Sequence, residues 1–355
     1  MNLRSRIARK VRFFFALAGD WILSLFEPGY RIRFVNFWIS GRSTRDLWFF
    51  PLITDILARE GSGRSCRVSE FRPHVVMASV LGDPALVDTI EAGAKILFSG
   101  ECLSSPNAPE LAAYADYRVN SYDLSLGFDS EGSVGSESYL RFPLWILYYF
   151  SPFETKDGIA SRIAAINGAK GPKGKFCSIV CRHDRSGIRG QIVDALSPLG
   201  RIDSAGPWRH NDDSLNAGYA DDKIAYLRQY KFTICPENAK GRGYVTEKLF
   251  QAFEAGCIPI YSGYSRDPEP GVINPEAILF WREGESNEDL IARIRTLDTD
   301  PLAYERFREL PPLRPEAVDY VHERLSTLRD RFARVLAPLG RAKDRHAMPT
   351  RTGVV

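Results

Sequence analysis

The chain has 355 residues, enough for about two domains with full hydrophobic cores. Hydrophobic residues make up 44% and charged residues 26%, which excludes a disordered, collagen-like or coiled-coil chain. The formal net charge of +3 gives too weak a field for a dedicated nucleic-acid binder, so no nucleic-acid partner is predicted. Six cysteines without a CxxC pair are too few for a disulfide scaffold and predict reduced thiols in the cytoplasm.

Residues 1–30 form a basic amphipathic segment. Its positive charges come first, at Arg4, Arg6, Arg9, Lys10 and Arg12. Apolar side chains then recur at helical spacing on one side, at Val11, Phe14, Phe15, Ala18, Ile22 and Leu25. A transmembrane helix needs about 20 apolar residues, and the chain has no such run. The pattern predicts that residues 1–27 lie on the anionic inner face of a membrane, the alternative being a helix docked on the protein's own core.

Residues 31–160 alternate candidate strands with helices. Strands are predicted at 31–38, 75–80 and 94–98, a helix at 47–59, and the segments 117–126 and 140–149 continue the pattern. Short apolar runs followed by glycine or polar loops are typical of buried parallel strands. The Gly-, Lys- and Pro-rich stretch 151–175 is predicted to be a linker or hinge.

The second half repeats this alternation. Strands are predicted at 176–181, 231–235, 258–261 and 277–280, and helices at 191–196, 247–255, 287–297 and 301–310. The order indicates an α/β chain with doubly wound parallel sheets, one in a domain over 31–160 and one over 161–335, with a cleft between them. The tail at 338–355 is predicted to be disordered.

The segment 230–263, YKFTICPENAKGRGYVTEKLFQAFEAGCIPIYSG, carries the clearest chemistry. A strand ends at Cys235, and the turn 236–238 lies at its carboxyl end, where open α/β sheets bind ligands. Thr246 is a candidate N-cap, and Glu247 and Lys248 fall in the first turn of the next helix, which suits a phosphate. Two glycines of the loop, Gly241 and Gly243, permit close approach to the backbone because they carry no side chain. By spacing alone, a capped surface helix with a local Glu–Lys pair is the alternative to a nucleotide site.

This segment resembles the signature of the α-1,3/1,4-fucosyltransferases, family 10 of the glycosyltransferases, in its bacterial form. The matching pieces are Glu237-Asn238, Tyr244-Val245-Thr246-Glu247-Lys248 and Ile258-Pro259-Ile260. The chain departs at Pro236, where the family usually has Phe. Upstream, ILFSGE at 96–101, YDLSLGFD at 122–129 and YLRFP at 139–143 resemble further family pieces, so the likeness spans roughly 31–310.

The resemblance implies the GT-B architecture, in which two Rossmann-like domains face each other across a cleft. Residues 31–160 would form the acceptor-side domain and 161–335 the domain that binds the nucleotide sugar. The implied reaction moves L-fucose from GDP-β-L-fucose to a glycan hydroxyl with inversion. The implied linkage is α-1,3, to a GlcNAc- or Glc-type residue of a surface polysaccharide or lipopolysaccharide.

The resemblance also assigns roles to individual residues. Glu101 would be the base that takes the acceptor's proton. Arg189 and Lys248 would hold the donor diphosphate, and Arg182 and Arg185 lie in the same loop as Arg189. The remaining donor contacts would come from Glu237, Asn238, Tyr244 and Glu247. No metal or cofactor is predicted, because the sequence has no HxH or HxxxH pattern.

Three alternatives remain beside this interpretation. One is a transferase of the same fold that uses another GDP-sugar donor. A second, of a different class, is a membrane-associated glycan-binding protein without catalysis, although it would not need the charged set Glu101, Arg189, Glu247 and Lys248. A third, an NAD-dependent dehydrogenase, lacks the required GxGxxG after a strand.

Overall fold

The computed structural model describes residues 17–26, 29–37, 48–60 and 64–341. The first 16 residues, part of the first predicted strand at residue 38, and the predicted tail from residue 342 onwards lie outside the described residues. Within the described part the chain forms two parallel β-sheets of six and five strands with helices around them. The predicted α/β class with two doubly wound sheets is therefore confirmed.

The first sheet is built from residues 30–141. Its strands are β1 (Tyr30–Val35), β2 (Cys66–Val68), β3 (Val75–Ser79), β4 (Ala94–Phe98), β5 (Leu124–Gly127) and β6 (Tyr139–Arg141). They lie in the order β2-β1-β3-β4-β5-β6, and every neighbouring pair is parallel. All five residues of β3 are buried, as expected of a central strand covered on both faces. The short strand β2 was not predicted, because its three residues are only half-buried.

The helices of the first half are α1 (17–26), α2 (Phe49–Glu60), α3 (Pro84–Asp88), α4 (Glu131–Val134), α5 (Leu144–Tyr149) and α6 (Lys156–Asn167), with a 3₁₀ segment at Pro109–Arg118. The prediction of a linker at 151–175 is wrong for α6. Thr155 caps this helix by accepting a hydrogen bond from the Gly158 amide. Three isoleucines at helical spacing, Ile159, Ile163 and Ile166, are buried and hold it to the core.

The second sheet is built from β7 (Lys175–Ile179), β8 (Ile202–Ser204), β9 (Tyr230–Ile234), β10 (Ile258–Tyr261) and β11 (Leu279–Phe280). Its order is β11-β10-β9-β7-β8, again with parallel neighbours. The helices are α7 (Ile188–Leu196), α8 (Ser214–Ala217), α9 (Lys223–Leu227), α10 (Glu247–Glu254), α11 (Glu288–Thr299), α12 (Pro301–Arg308) and α13 (Ala317–Arg341), with a 3₁₀ turn at Pro275–Ala277. In the described part, no helix is long and apolar enough to cross a membrane.

The last helix, α13, returns to the first half of the chain. It packs against α2 and α6, and its buried stripe runs through Val321, Leu325, Leu328, Phe332 and Leu336. Residues 338–341, predicted to belong to a disordered tail, are the final turn of this helix. They are held because the Leu339 carbonyl accepts a hydrogen bond from the Tyr30 hydroxyl at 3.2 Å. The predicted limits of the two domains remain predictions.

The two halves pack directly on each other. Trp145 of α5 stacks on Phe250 of α10, with 4.3 Å between ring centroids and 14° between ring planes. Arg141 at the end of β6 reaches Glu269 of the second half, with Nη2 and Oε1 2.6 Å apart, and both side chains are largely buried. These contacts fix how the carboxyl-end loops of the two sheets face each other.

Candidate functional site

Loops from the carboxyl ends of both sheets meet between the two halves. Glu101 lies three residues after β4, and Glu237 lies three residues after β9. The hydroxyl of Tyr244, from the second half, donates to Oε2 of Glu101, from the first half, at 3.5 Å. Because parallel strands direct their carboxyl ends to one edge, this juxtaposition follows from the topology of the two sheets.

Glu101 is held by its own strand end. The buried Ser99 hydroxyl donates to the Glu101 carbonyl at 2.8 Å and accepts from the Glu101 amide at 3.4 Å. Burial raises the pKa of the Glu101 carboxyl, against the opposing effects of the Lys248 charge and the Tyr244 hydrogen bond. A carboxylate that is partly desolvated and has a raised pKa is suited to accept a proton from a hydroxyl.

Arg189 is a buried cation without an anionic partner. Its residue is only 4% exposed, in the first turn of α7. Its guanidinium donates to neutral acceptors only: the His183 carbonyl at 2.8 Å, Asn238 Oδ1 at 2.8 Å and the Pro236 carbonyl at 3.5 Å. Among the described residues, no carboxylate forms a salt bridge with it. Since a buried charge is costly unless it is paired, this side chain is suited to an anionic ligand.

The structure separates Arg189 from the other two arginines of its loop. Arg182 and Arg185 are both exposed, and Arg185 donates only to the Asn107 carbonyl at 3.3 Å. Arg189 differs because the N-terminal turn of α7 directs it inward, where Asp184 accepts hydrogen bonds from the amides of Arg189 and Gly190. Of these three arginines, Arg189 is thus the one that is buried.

Glu237 acts inside the loop and does not face the cavities. It is 3% exposed, and its oxygens accept from the Thr246 amide, the Thr246 hydroxyl and Lys248 Nζ at 2.8, 2.8 and 3.0 Å. The Tyr261 hydroxyl adds a contact at 3.4 Å. Because these partners use both oxygens, Glu237 is placed to orient Lys248, and its contact with the donor stays a prediction. Thr246 occupies the N-cap position of α10 as predicted, but its side chain makes no capping bond.

Lys248 keeps its charge through this contact. Burial lowers the pKa of its ammonium, but the charges of Glu237 and Glu247 outweigh burial and raise the pKa overall. The ammonium is therefore charged, and it also donates to the Thr246 hydroxyl at 2.9 Å. Glu247 lies beside it at the first position of α10, and its carboxylate has no hydrogen-bond partner among the residues that the structure describes.

A cavity of about 380 Å³ lies over the carboxyl end of β9, and its walls carry most of the predicted donor residues. They include Arg189, Asn238, Glu247 and Lys248. Sequence reasoning missed Lys223, which also lines this cavity and donates to Gln251 Oε1 at 2.6 Å. Burial lowers the pKa of Lys223, against the opposing charge of Glu247. Its only sequence signal is a lysine in the first turn of a short helix that leads into β9.

A second cavity, of about 260 Å³, joins the two halves. Glu101 and Tyr244 line it together with Arg189 and Asn238. A third, of about 470 Å³, lies beside it and is lined by residues that include Cys102, Tyr117, Asp129 and Tyr244. The buried Tyr244 ring contributes to both cavities and packs edge-on against Phe128 at 4.7 Å. The site residues predicted from the sequence therefore converge, apart from the buried Glu237.

The two glycines of the loop serve the contact between the halves. A Cβ at Gly241 would lie 2.4 Å from Cys102 Sγ, and one at Gly243 would lie 2.5 Å from the Phe128 carbonyl. Gly243 also has a φ of +68°, which favours glycine. Close backbone approach is thus needed here, and at both glycines the nearest atom belongs to the first half.

The described residues offer no evident site for a metal ion. No group of three or more His, Cys, Asp or Glu side chains lies close enough to hold an ion there. Instead, three basic side chains, Arg189, Lys223 and Lys248, line the cavity over the carboxyl end of β9. The arrangement can bind a polyanion on one side and place a carboxylate base on the other.

Comparison with known proteins shows that the second half of the chain is similar to a family of glycosyltransferases. Residues 170–311 match the model described as "Glycosyltransferase family 10 (fucosyltransferase) C-term". The chain is also 26% identical over 294 residues to the alpha-(1,3)-fucosyltransferase FucT of Helicobacter pylori, covering 74% of this chain and 55% of that protein. The chain thus spans about half the length of this relative and less of the next ones. The resemblance predicted from segment 230–263 is confirmed.

Solved structures support the fold. The crystal structure of an α1,3-fucosyltransferase superposes with a TM-score of 0.57 at 23% identity, covering 86% of this chain and 92% of that one. The structure of an α1,3-fucosyltransferase with GDP-fucose gives a TM-score of 0.54 at 22% identity, covering 85% and 91%. The GT-B architecture predicted for this chain is therefore confirmed.

Proposed function

We propose that this chain, with its family 10 domain at 170–311, is an inverting fucosyltransferase that uses GDP-β-L-fucose without a metal. The names of the relatives and the GDP-fucose complex of a protein with the same fold support the donor. The observation that carries the proposal is the cavity between the halves. It has a carboxylate, Glu101, on one wall and a buried cation without an anionic partner, Arg189, on the other.

The chemistry follows from these two walls. Glu101 accepts the proton of the acceptor hydroxyl while the hydroxyl oxygen forms a bond to the anomeric carbon of fucose. The bond from that carbon to the diphosphate oxygen breaks on the opposite side, and GDP leaves with the electron pair. Arg189 and Lys248 stabilise the negative charge that grows on GDP, as a metal ion does elsewhere. Glu101 then releases its proton to water.

The acceptor belongs in the neighbouring cavity of about 470 Å³, on the side of Tyr244 away from the donor. Its aromatic and acidic lining, Tyr117, Phe128 and Asp129, suits a sugar, whose ring stacks on aromatic faces and whose hydroxyls donate to carboxylates. We propose transfer in α-1,3 linkage to a GlcNAc- or Glc-type residue of a surface polysaccharide or lipopolysaccharide. The name of the Helicobacter pylori relative supports the linkage. The reaction would take place in the cytoplasm, at the inner face of the membrane.

The test is calorimetric titration with GDP, GDP-fucose, GDP-mannose and UDP-galactose in the presence of EDTA. We expect binding of GDP and GDP-fucose only. A preference for GDP-mannose would show that the donor sugar is mannose and would leave the mechanism unchanged. No binding of any GDP compound would overturn the proposal.

The variant Glu101→Gln then separates an enzyme from a glycan-binding protein. We expect it to bind GDP-fucose as the unaltered chain does and to lose transfer to a glycan acceptor. Wild-type protein that binds both donor and glycan without transfer would favour the binding protein. Unchanged transfer by Glu101→Gln would show that another group is the base.

A further inference from the structure

The helix α1 is attached to the protein by its polar side. Asp20 pairs with Arg67 of β2, and its Oδ2 accepts hydrogen bonds from the Ser69 hydroxyl at 3.0 Å and the Glu70 amide at 2.8 Å. Four residues later, one turn along the same face, Ser24 is buried. The polar face of α1 is therefore the one turned toward the protein, which is the reverse of an ordinary surface helix.

The apolar side chains of α1 are left outside. Phe26 is 79% exposed and Trp21 is 51% exposed, and three further residues of the helix, Ile22, Leu23 and Leu25, are also exposed. These five residues are called the α1 apolar surface. Single exposed apolar residues are common, but five on ten consecutive helical residues form a patch of the kind that marks an interaction site. The alternative of a helix docked by its apolar face on the protein's own core is wrong for residues 17–26.

Basic residues lie around the point where α1 is attached. Arg67 is paired with Asp20 and Arg33 with Glu70, whereas Arg72 is exposed and its carbonyl accepts a hydrogen bond from Arg31 Nε at 2.8 Å. Burial, together with the charges of Arg31, Arg64 and Arg72, lowers the pKa of the nearby His74 to about 4. In the sequence, five more basic residues, Arg4, Arg6, Arg9, Lys10 and Arg12, precede this helix.

We propose that the α1 apolar surface and the exposed Arg72 form a membrane-binding surface for a bilayer rich in anionic phospholipids. Aromatic and branched side chains would enter between the lipids while the Arg72 guanidinium contacts phosphate headgroups. The positive charge favours this occupant over a second copy of the chain, because two copies would bring their like-charged surroundings together. The inference is independent of the transfer chemistry.

The experiment is sedimentation of the full chain with two kinds of vesicle. One kind contains equal parts of phosphatidylglycerol and phosphatidylcholine, and the other contains phosphatidylcholine alone. We expect binding to the anionic vesicles only. The variant W21S/F26S should bind them at least about tenfold more weakly, since it removes the two largest apolar side chains. The matched control is Leu86→Ser, which removes an exposed apolar side chain of α3 and should bind like the wild type.

Thermal unfolding will show whether W21S/F26S folds. If it does not, a second variant provides the test. Arg72→Gln changes an exposed side chain and should weaken binding to the anionic vesicles about fivefold. The proposal is overturned if the wild type binds neither vesicle, or if the variants bind as well as the wild type. A dimer in size-exclusion chromatography that W21S/F26S abolishes, without vesicle binding, would identify a second copy as the occupant. Donor titration reports separately on the proposed function.

Discussion

The sharpest prediction concerns Arg189→Met, which removes the cation and keeps much of the apolar stem. A guanidinium has five N–H donors. Three of them are used within the protein, one of Nη1 and both of Nη2. The Nε hydrogen and the second Nη1 hydrogen remain for the diphosphate; they lie on different edges of the guanidinium, so each can donate to a separate oxygen.

The size of the effect follows from these two donors. A hydrogen bond to a charged group contributes about 1.5–3 kcal/mol, so two such bonds, partly offset by water, are worth about 3 kcal/mol. Because 1.4 kcal/mol corresponds to a tenfold change, we expect GDP to bind about 100-fold more weakly. Guanosine has no diphosphate, and its affinity should not change.

The assay is titration of GDP and of guanosine into the variants Arg189→Met and Arg185→Met. Arg185 is an exposed arginine of the same loop. Arg185→Met should bind GDP as the wild type does. A loss of GDP affinity below about fivefold for Arg189→Met would refute the assignment of this side chain to the diphosphate. An equal loss for guanosine would show that the variant has damaged the whole site.

Two further predictions concern the carboxylates. Tyr244 donates a hydrogen bond that lowers the pKa of Glu101, so the variant Tyr244→Phe should raise that pKa. The acidic limb of the kcat/KM profile should therefore move to higher pH, as a pH–rate profile will show. A limb that stays in place or moves to lower pH would contradict the role of Glu101 as base. Glu237→Gln should lower the free energy of unfolding by about 3 kcal/mol in urea, because it leaves the Lys248 ammonium without its buried partner. The double variant Glu237→Gln/Lys248→Met should recover part of this loss, and a loss in the double variant equal to the sum of the two single losses would show that the pair is not coupled.

The parallel strands were predictable because their signal is local. The strand β4 matches its predicted bounds, and β3, β9 and β10 lie within one residue of theirs. Each combines an apolar run with a polar or glycine-containing loop, which is what a strand buried on both faces needs. The site motif was predictable for a similar reason, since the turn 236–238 and the start of α10 are adjacent in sequence.

Other features depend on contacts between distant parts of the chain. The helix α6 was missed because the Gly-, Lys- and Pro-rich residues 168–175 that follow it dominate the composition of the stretch 151–175 and hide the helical spacing of its isoleucines. The role of Glu237 is set by Tyr261 and Lys248, which fold around it, so sequence alone assigned it to the sugar. Lys223 becomes a cavity residue only when α9 packs beside α10.

The return of α13 to the first half has a consequence for synthesis. The residues that form the first sheet leave the ribosome long before residues 317–341, yet Phe332 of α13 stacks on Phe49 of α2 and is fully buried there. Until the last helix arrives, the apolar face of α2 remains uncovered, as in a folding intermediate prone to aggregation. The first half therefore cannot complete its fold before α13 has been synthesised, and a chain that stops before residue 317 would leave it unfinished.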